Sequence, residues 1–276
     1  MESRRVLITS DIHCTDLEDW YGVSDADRME HWLREVLAEH EKHPFDLILI
    51  PGDISLDYHQ EQTPFQKGYS TAYLFMKMYA SRLPAGVPVL VGPGNHEQFP
   101  DAVWRKIAGN PRQCHCILGD HTFVLLDSFN AALGTEYDSS DVYTPMDTAY
   151  VRRLMEEHPD NKVWLLSHWF EPDEETEAFR SLVRDPRVKG LFMGHSHDHR
   201  LIPLGPEFGG KCIAQTGNFS YTMSGADTGG FWGFRDLVIR EDRAVSSYIM
   251  VRSAVVPEEG PVIFPRRVSE VIEYEL

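Results

Sequence analysis

Five short segments gather residue types that bind metal ions: Asp11-Ile12-His13, Gly52-Asp53, Gly94-Asn95-His96-Glu97, Ser167-His168 and Gly194-His195-Ser196-His197. Carboxylate oxygens, imidazole nitrogens and an amide oxygen, with no thiolate among them, make a borderline-hard ligand set suited to manganese, iron or zinc. Calcium would need more oxygens. Singly, each segment is weak, since Asp-x-His has many chance matches and a lone histidine such as His168 is more often a surface or core residue than a ligand. What they share is position, because each follows an apolar run. A glycine precedes Asp53, Asn95 and His195, where it permits strained dihedrals and a close approach of backbone to ligand. His195 and His197 would point to opposite sides of a strand, but they converge on neighbouring ions if the backbone turns at Gly194.

The runs that position these residues are Val6 to Ser10 before Asp11, Leu47 to Gly52 before Asp53, Val87 to Val91 before the Gly92-Pro93-Gly94 turn, Val163 to Ser167 before His168, and Gly190 to Gly194 before His195. Apolar runs without alternation are strands buried on both faces. Ligands of open α/β sheets bind outside the carboxyl ends of the strands, so five such strands would deliver one site. Met29, Trp32, Leu33, Val36 and Leu37 fall at helical spacing after a candidate N-cap, Ser24, with Asp27 three residues on. Ala72, Phe75, Met76 and Tyr79, and later Tyr150, Val151, Leu154 and Met155, repeat that pattern before the third and fourth strands. Past His197, runs around Cys212-Ile213-Ala214, Leu237-Val238-Ile239 and Tyr248 to Val251 predict further sheet, antiparallel in character. Ser224 to Gly233 reads as a loop near the site, and Pro257 to Leu276 as an edge strand or an exposed tail.

Taken in order over residues 11–197, D-x-H, G-D, G-N-H-E, a single H and G-H-x-H, the segments resemble the signature of the calcineurin-like metallophosphoesterase superfamily. The resemblance implies an α/β fold, a four-layer α-β-β-α sandwich of two mixed sheets flanked by helices, with the metal site at the strand C-terminal ends. It implies a first ion on Asp11, His13, Asp53 and His197 and a second on Asp53, Asn95, His168 and His195. Asp53 would bridge two ions roughly 3.5 to 4 Å apart, and a hydroxide between them would attack phosphorus in line. His96 would be the non-ligand histidine that, beside Asn95, meets the substrate and helps the leaving oxygen depart. The chain is then a single metallophosphoesterase domain over 1–276, with residues 198–256 completing the second sheet and 257–276 as a C-terminal extension.

The activity this suggests is hydrolysis of a small phosphodiester, a nucleotide among the candidates. The compact motif block with a β-rich tail looks like the family's bacterial phosphodiesterases, and a diester carries one charge where a monoester carries nearly two. No arginine clamp stands beside the motifs, Arg200 being the nearest cation. The alternative is a phosphomonoesterase or protein phosphatase of the same superfamily, whose Glu variant Glu97 shares. A non-catalytic scaffold, as in the retromer subunit, would show lost ligand positions, and a nuclease would need a basic surface; both rank below.

Composition narrows the partners. Twenty-six Lys and Arg against 43 Asp and Glu give a formal charge of −17 over 276 residues, which repels nucleic-acid polymers and anionic membranes. Four cysteines without a Cys-x-x-Cys pair argue against a disulfide scaffold or structural zinc. Val6-Leu7-Ile8 is too short for a secretory leader and no run approaches the roughly 20 apolar residues of a membrane span, so a cytoplasmic protein is expected. Other residues take ordinary roles: Glu97 orienting a neighbouring histidine, His199 in a solvated loop, Cys114 and Cys116 on one buried strand face with His115 opposite, and Asp127 structural. Trp169, Phe219, Tyr221 and Trp232 are candidates for a rim facing substrate, each equally suited to the core.

Overall fold

The apolar runs become strands, and the amphipathic stretches become the helices that cover them. The computed structural model describes residues 3–276 apart from 18, 21–22, 60–61, 132, 134–141, 221–231 and 256–261. In chain order the elements are β1 (Arg4–Ile8), β2 (Asp19–Trp20), β3 (Val23–Ser24), α1 (Asp25–Lys42), β4 (Leu47–Pro51), α2 (Pro64–Lys67), α3 (Thr71–Met78), β5 (Val89–Gly92), α4 (Asp101–Ala108), β6 (Cys114–Leu118) and β7 (His121–Leu126). There follow α5 (Thr148–Glu157), β8 (Lys162–Ser167), α6 (Glu177–Val183), β9 (Val188–Met193), β10 (Leu201–Pro203), β11 (Cys212–Gln215), β12 (Gly233–Ile239), β13 (Arg243–Met250), β14 (Ser253–Val255), β15 (Val262–Phe264) and β16 (Arg267–Glu275). Ser24 caps α1 by accepting the Asp27 N–H at 3.4 Å, where the sequence places the N-cap.

Two six-stranded sheets carry the chain, one in the order β16-β13-β12-β1-β4-β5 and the other β10-β11-β9-β8-β7-β6. In the first, β1, β4 and β5 are parallel and β12, β13 and β16 are antiparallel. In the second, β7, β8, β9 and β11 are parallel between antiparallel edges. The core splits into three layers of contact. Val6, Ile8, Leu47 and Leu49 of the first sheet face Phe123, Leu125, Trp164 and Phe192 of the second. Leu7, Ile48 and Ile50 turn the other way, onto Met29, Trp32 and Val36 of α1 and Phe75 of α3. On the far side, Val163, Leu165 and Leu191 meet Val151 and Leu154 of α5 and Phe179 of α6. Alternate residues of each strand therefore face opposite layers, and the result is the four-layer α-β-β-α sandwich of two mixed sheets. Each large apolar side chain so covered contributes roughly 1.5 to 3 kcal/mol.

One expectation needs correction, and one left open is decided. The strands after His197 do not complete the second sheet alone: β12 and β13 join the first, while β6 to β9 already form most of the second. The reason is that β4 occupies one edge of β1 and leaves the other open, where β12 pairs along its whole length from Arg4↔Ile239 to Ile8↔Arg235. The C-terminal stretch is an edge strand rather than a tail, since β16 pairs with β13. Residues 257–261 and most of the Gly-rich loop, 224–231, lie outside the described residues. Among the described residues, no helix is long and apolar enough to cross a membrane.

Candidate metal centre

β1, β4 and β5 of one sheet and β8 and β9 of the other end at the same place, and the segments behind them meet there. Asp11, His13, Asp53, Asn95, His168 and His197 are buried and His195 is half-buried. Their side chains form overlapping groups of ligand atoms: Asp11, His13 and His197; Asp53, His168 and His195; and a third, His13, Asp53 and His96. Asp53 Oδ2 lies 3.3 Å from His13 Nε2 and 3.1 Å from His168 Nε2, so one carboxylate oxygen faces both sides of the site. His197 Nε2 is 3.3 Å from Asp11 Oδ1. Asn95 Oδ1 is 3.0 Å from His168 Nε2 and 3.2 Å from His195 Nδ1.

Local backbone makes this convergence. Asp11, His13, Asp53, His195 and His197 all have left-handed φ, between 50° and 66°, and among the described residues Glu270 is the one other non-glycine that does. Each such residue costs about 1 to 3 kcal/mol, which persists only where surroundings over-determine it. The surroundings are visible. Asp11 accepts the His195 N–H, at 3.0 Å and 3.1 Å from its two oxygens, tying the first segment to the last. The Ile12 and His13 N–H groups donate to the Asp53 carbonyl at 2.8 and 3.0 Å. His168 donates Nδ1–H to the Pro51 carbonyl at 3.0 Å, which turns Nε2 inward.

The electrostatics describe a site short of positive charge. Burial pushes the Asp11 and Asp53 carboxyls up, but the surrounding histidines, His168 foremost, hold both below the usual range. His168 is opposed by burial yet raised to about 9 by Asp53 and Asp11. Burial pushes His195 down to about 4 and lowers His197. Burial opposes the shift, but Asp11 and Asp53 raise the pKa of buried His13, whose Nε2 faces both carboxylates. Two carboxylates, an amide oxygen and inward-turned imidazoles make a donor set that fits divalent cations.

His96 is buried, its Nε2 is 3.5 Å from Asp53 Oδ2, and its backbone N–H donates to Asp53 Oδ1 at 3.2 Å. Burial pushes its pKa to about 3. It therefore stands within ligand reach of Asp53, a proximity its place in the sequence did not predict. Glu97 differs from expectation. Among the described residues it hydrogen-bonds no histidine; its carboxylate accepts the N–H groups of Asp53, Ser55 and Gly94 at 2.9, 2.9 and 2.8 Å and the Ser55 hydroxyl at 2.8 Å, joining the turns after β4 and β5. Burial and Asp53 push it up to about 7 against those donors.

Of the other candidates, Asp127 pairs with Arg112, which also donates to the carbonyls of Glu97 and Phe99. Trp169 is half-buried and stacks on His195 with centroids 4.6 Å apart. Phe219 and Trp232 are core, and Tyr221 lies outside the described residues. His199 is half-buried and stacks on Tyr248, not loose in solvent. Cys114 is buried and Cys116 half-buried, with His115 exposed between them. Sequence reading missed His59, exposed and 4.9 Å from the His96 ring, and Arg28, buried under the Asp11–His13 loop. Neither carries a spacing signal, although a charged residue beside the apolar stripe of α1 was visible.

No curated protein matches the chain. Solved structures similar to it include a dimetal phosphatase from Danio rerio, at 15% identity and TM-score 0.64 over 96% of this chain and 98% of that one, which shows the fold. Weaker likenesses are a conserved uncharacterized predicted phosphoesterase from Streptococcus pneumoniae TIGR4, at 12% identity and TM-score 0.43 over 100% and 99%, and Vps29 from Chaetomium thermophilum, at 12% and 0.43 over 99% and 98%. The family model for calcineurin-like phosphoesterase matches residues 4–199, from the first strand through the last of the histidine segments. The protein thus belongs to the calcineurin-like phosphoesterase family.

Proposed function

We propose that the protein is a dinuclear metal-dependent phosphoesterase of the cytoplasm that hydrolyses a small phosphodiester. The observation that supports this most is Asp53 Oδ2, which faces His13 on one side and His168 on the other. Asp11, His13, Asp53 and His197 would hold one ion and Asp53, Asn95, His168 and His195 the other. Such ions, when bound, supply Lewis acidity toward the phosphoryl oxygens and a water of lowered pKa.

The chain's own groups do the rest. Asn95 and His96 flank the place where a phosphoryl group would sit, and His96 donates a ring N–H toward a phosphoryl or departing oxygen. With its pKa near 3, the ring is neutral before substrate arrives, and an anionic ester beside it raises that value. Glu97 and the Pro51 carbonyl hold Asp53 and His168 in place without touching substrate.

Charge supports the diester. Among the described residues no Lys or Arg pairs with Asp11 or Asp53; Arg28 and Arg112 donate to backbone carbonyls and Arg200 pairs with Asp198. A site with no Lys or Arg among the described residues beside its carboxylates suits a single ester charge better than two. Side-by-side kcat/KM values for a nitrophenyl diester and the matching monoester, with manganese, test it. The diester is hydrolysed at least as well; a monoester preference above about tenfold, or about 1.4 kcal/mol of transition-state stabilisation, overturns the proposal in favour of a phosphatase.

A further inference from the structure

Arg28 is fully buried, a position where a guanidinium is far costlier than the Met or Leu that would pack α1 equally well. Its contacts centre on the loop after β1. Nη2 donates to the His13 carbonyl at 2.7 Å and to Asp25 Oδ1 at 2.6 Å; Nη1 donates to the Ile12 carbonyl and, at 3.3 Å, to that of Phe219. Asp25 Oδ1 also accepts the Thr15 N–H at 3.0 Å, closing the clamp beyond the loop. The other side of the same two peptides is engaged as well, because the His13 N–H donates to the Asp53 carbonyl at 3.0 Å and the Cys14 N–H to that of Ile54 at 2.9 Å. The residue between these two peptides, His13, has a φ of 52°, as does Asp11 just before Ile12. A peptide plane held from both sides cannot rotate back toward ordinary dihedrals.

We propose that Arg28 is a positioning residue: by fixing the Ile12 and His13 carbonyls, it holds His13 in the left-handed conformation that aims its side chain at the first ion, and it braces the chain directly after Asp11. This rests on the two-ion reading above. Of the other residues of that ion group, Asp53 is shared with the second and His197 has its carbonyl held by Asn218 Nδ2 at 2.8 Å, while the second group has Pro51 and Glu97. Arg28 therefore bears on one ion and not the other.

The test uses the full-length protein, stripped by chelation and reloaded with Mn²⁺ alone, with each binding event followed by calorimetry and the bound metal counted by elemental analysis. Arg28→Lys keeps the charge that Asp25 needs but cannot reach two carbonyls in a fork; Arg28→Met with Asp25→Asn removes both charges together. In both variants one ion keeps wild-type affinity and the other binds about 10- to 100-fold more weakly, the usual effect of removing a group that orients a ligand. Adding His195→Ala to Arg28→Lys weakens the remaining ion as well. A merely structural role lowers the unfolding temperature of the ion-free protein and leaves both affinities alone, so two ions at wild-type affinity in folded Arg28→Lys overturn the proposal, as does an equal weakening of both. If the wild type takes up fewer than two ions, the two-ion reading itself falls, a result seen before any variant is made.

Discussion

All four residues proposed for the first ion, Asp11, His13, Asp53 and His197, have left-handed backbone, whereas of those proposed for the second only Asp53 and His195 do, and Asn95 and His168 stand on ordinary backbone. The supports differ accordingly. The first group is held by groups from distant parts of the chain: Arg28 from α1, the Phe219 N–H on the Asp11 carbonyl at 3.0 Å, and Asn218 on His197. The second is held by its own strand ends, with Pro51 of β4 fixing the His168 ring and Glu97 joining the turns after β4 and β5. One half of the site is thus strained and remotely clamped, the other close to what parallel strand ends offer without help. The first should respond to changes far from it, the second to changes in its own turns.

The change that should abolish the distinction is Asp53→Asn, because it removes the carboxylate that faces both groups. Both ions weaken by more than about 100-fold and turnover is lost while the chain stays folded; elemental analysis finding two ions per chain would show that Asp53 does not bridge. His96→Ala comes next. It keeps both ions and lowers kcat by about 10² to 10⁴ on an ester with a poor leaving group, and by much less on a nitrophenyl ester. Loss of an ion instead would move His96 among the ligands, where its distance to Asp53 also allows it.

Two glycine substitutions separate the halves directly. A Cβ on Gly194 would press on Asp11 Oδ2 and Ser10, so Gly194→Ala should weaken the first ion about 10- to 100-fold and spare the second. A Cβ on Gly52, whose φ is +95°, would lie 2.7 Å from the His168 ring, so Gly52→Ala should do the reverse. If the two variants weaken the same ion, the halves are not independent. The smallest effect lies at the opposite ends of the strands. His121, at the start of β7, is pushed down to about 4 by burial and accepts the Trp164 indole N–H at 3.0 Å on an unprotonated nitrogen. A histidine lowered on folding contributes stability that is complete above its unfolded pKa of about 6.5 and is lost as pH falls toward 4. Urea unfolding of the ion-free protein should show the wild type's advantage over His121→Asn shrinking by about 1 to 2 kcal/mol between pH 7.5 and 5, with ion affinities at pH 7.5 unchanged.

The candidate ligand residues were legible because each lies just past the end of an apolar strand, so position along the chain and position in space coincide. Which sheet a strand joins was not. Leu237, Val238 and Ile239 read as buried strand, but periodicity says nothing of the partner, and only the open edge of β1 draws β12 into the first sheet. Glu97 was misread for a related reason: its partners are backbone N–H groups, which every residue carries and no sequence pattern marks. Arg28 and His59 depend on how loops fold back over α1 and over His96, contacts made by tertiary packing alone. The strands of the first and second sheets could be told apart only by the alternation of their faces between helix and opposite sheet, which a run apolar on both sides conceals.

The central claim is that two ions share Asp53, and anomalous diffraction from manganese-loaded crystals tests it in one step. The account predicts two peaks about 3.5 to 4 Å apart, one beside Asp11, His13 and His197 and one beside Asn95, His168 and His195, with the Asp53 carboxylate between them. A single peak, or two peaks of which only one touches Asp53, would contradict it.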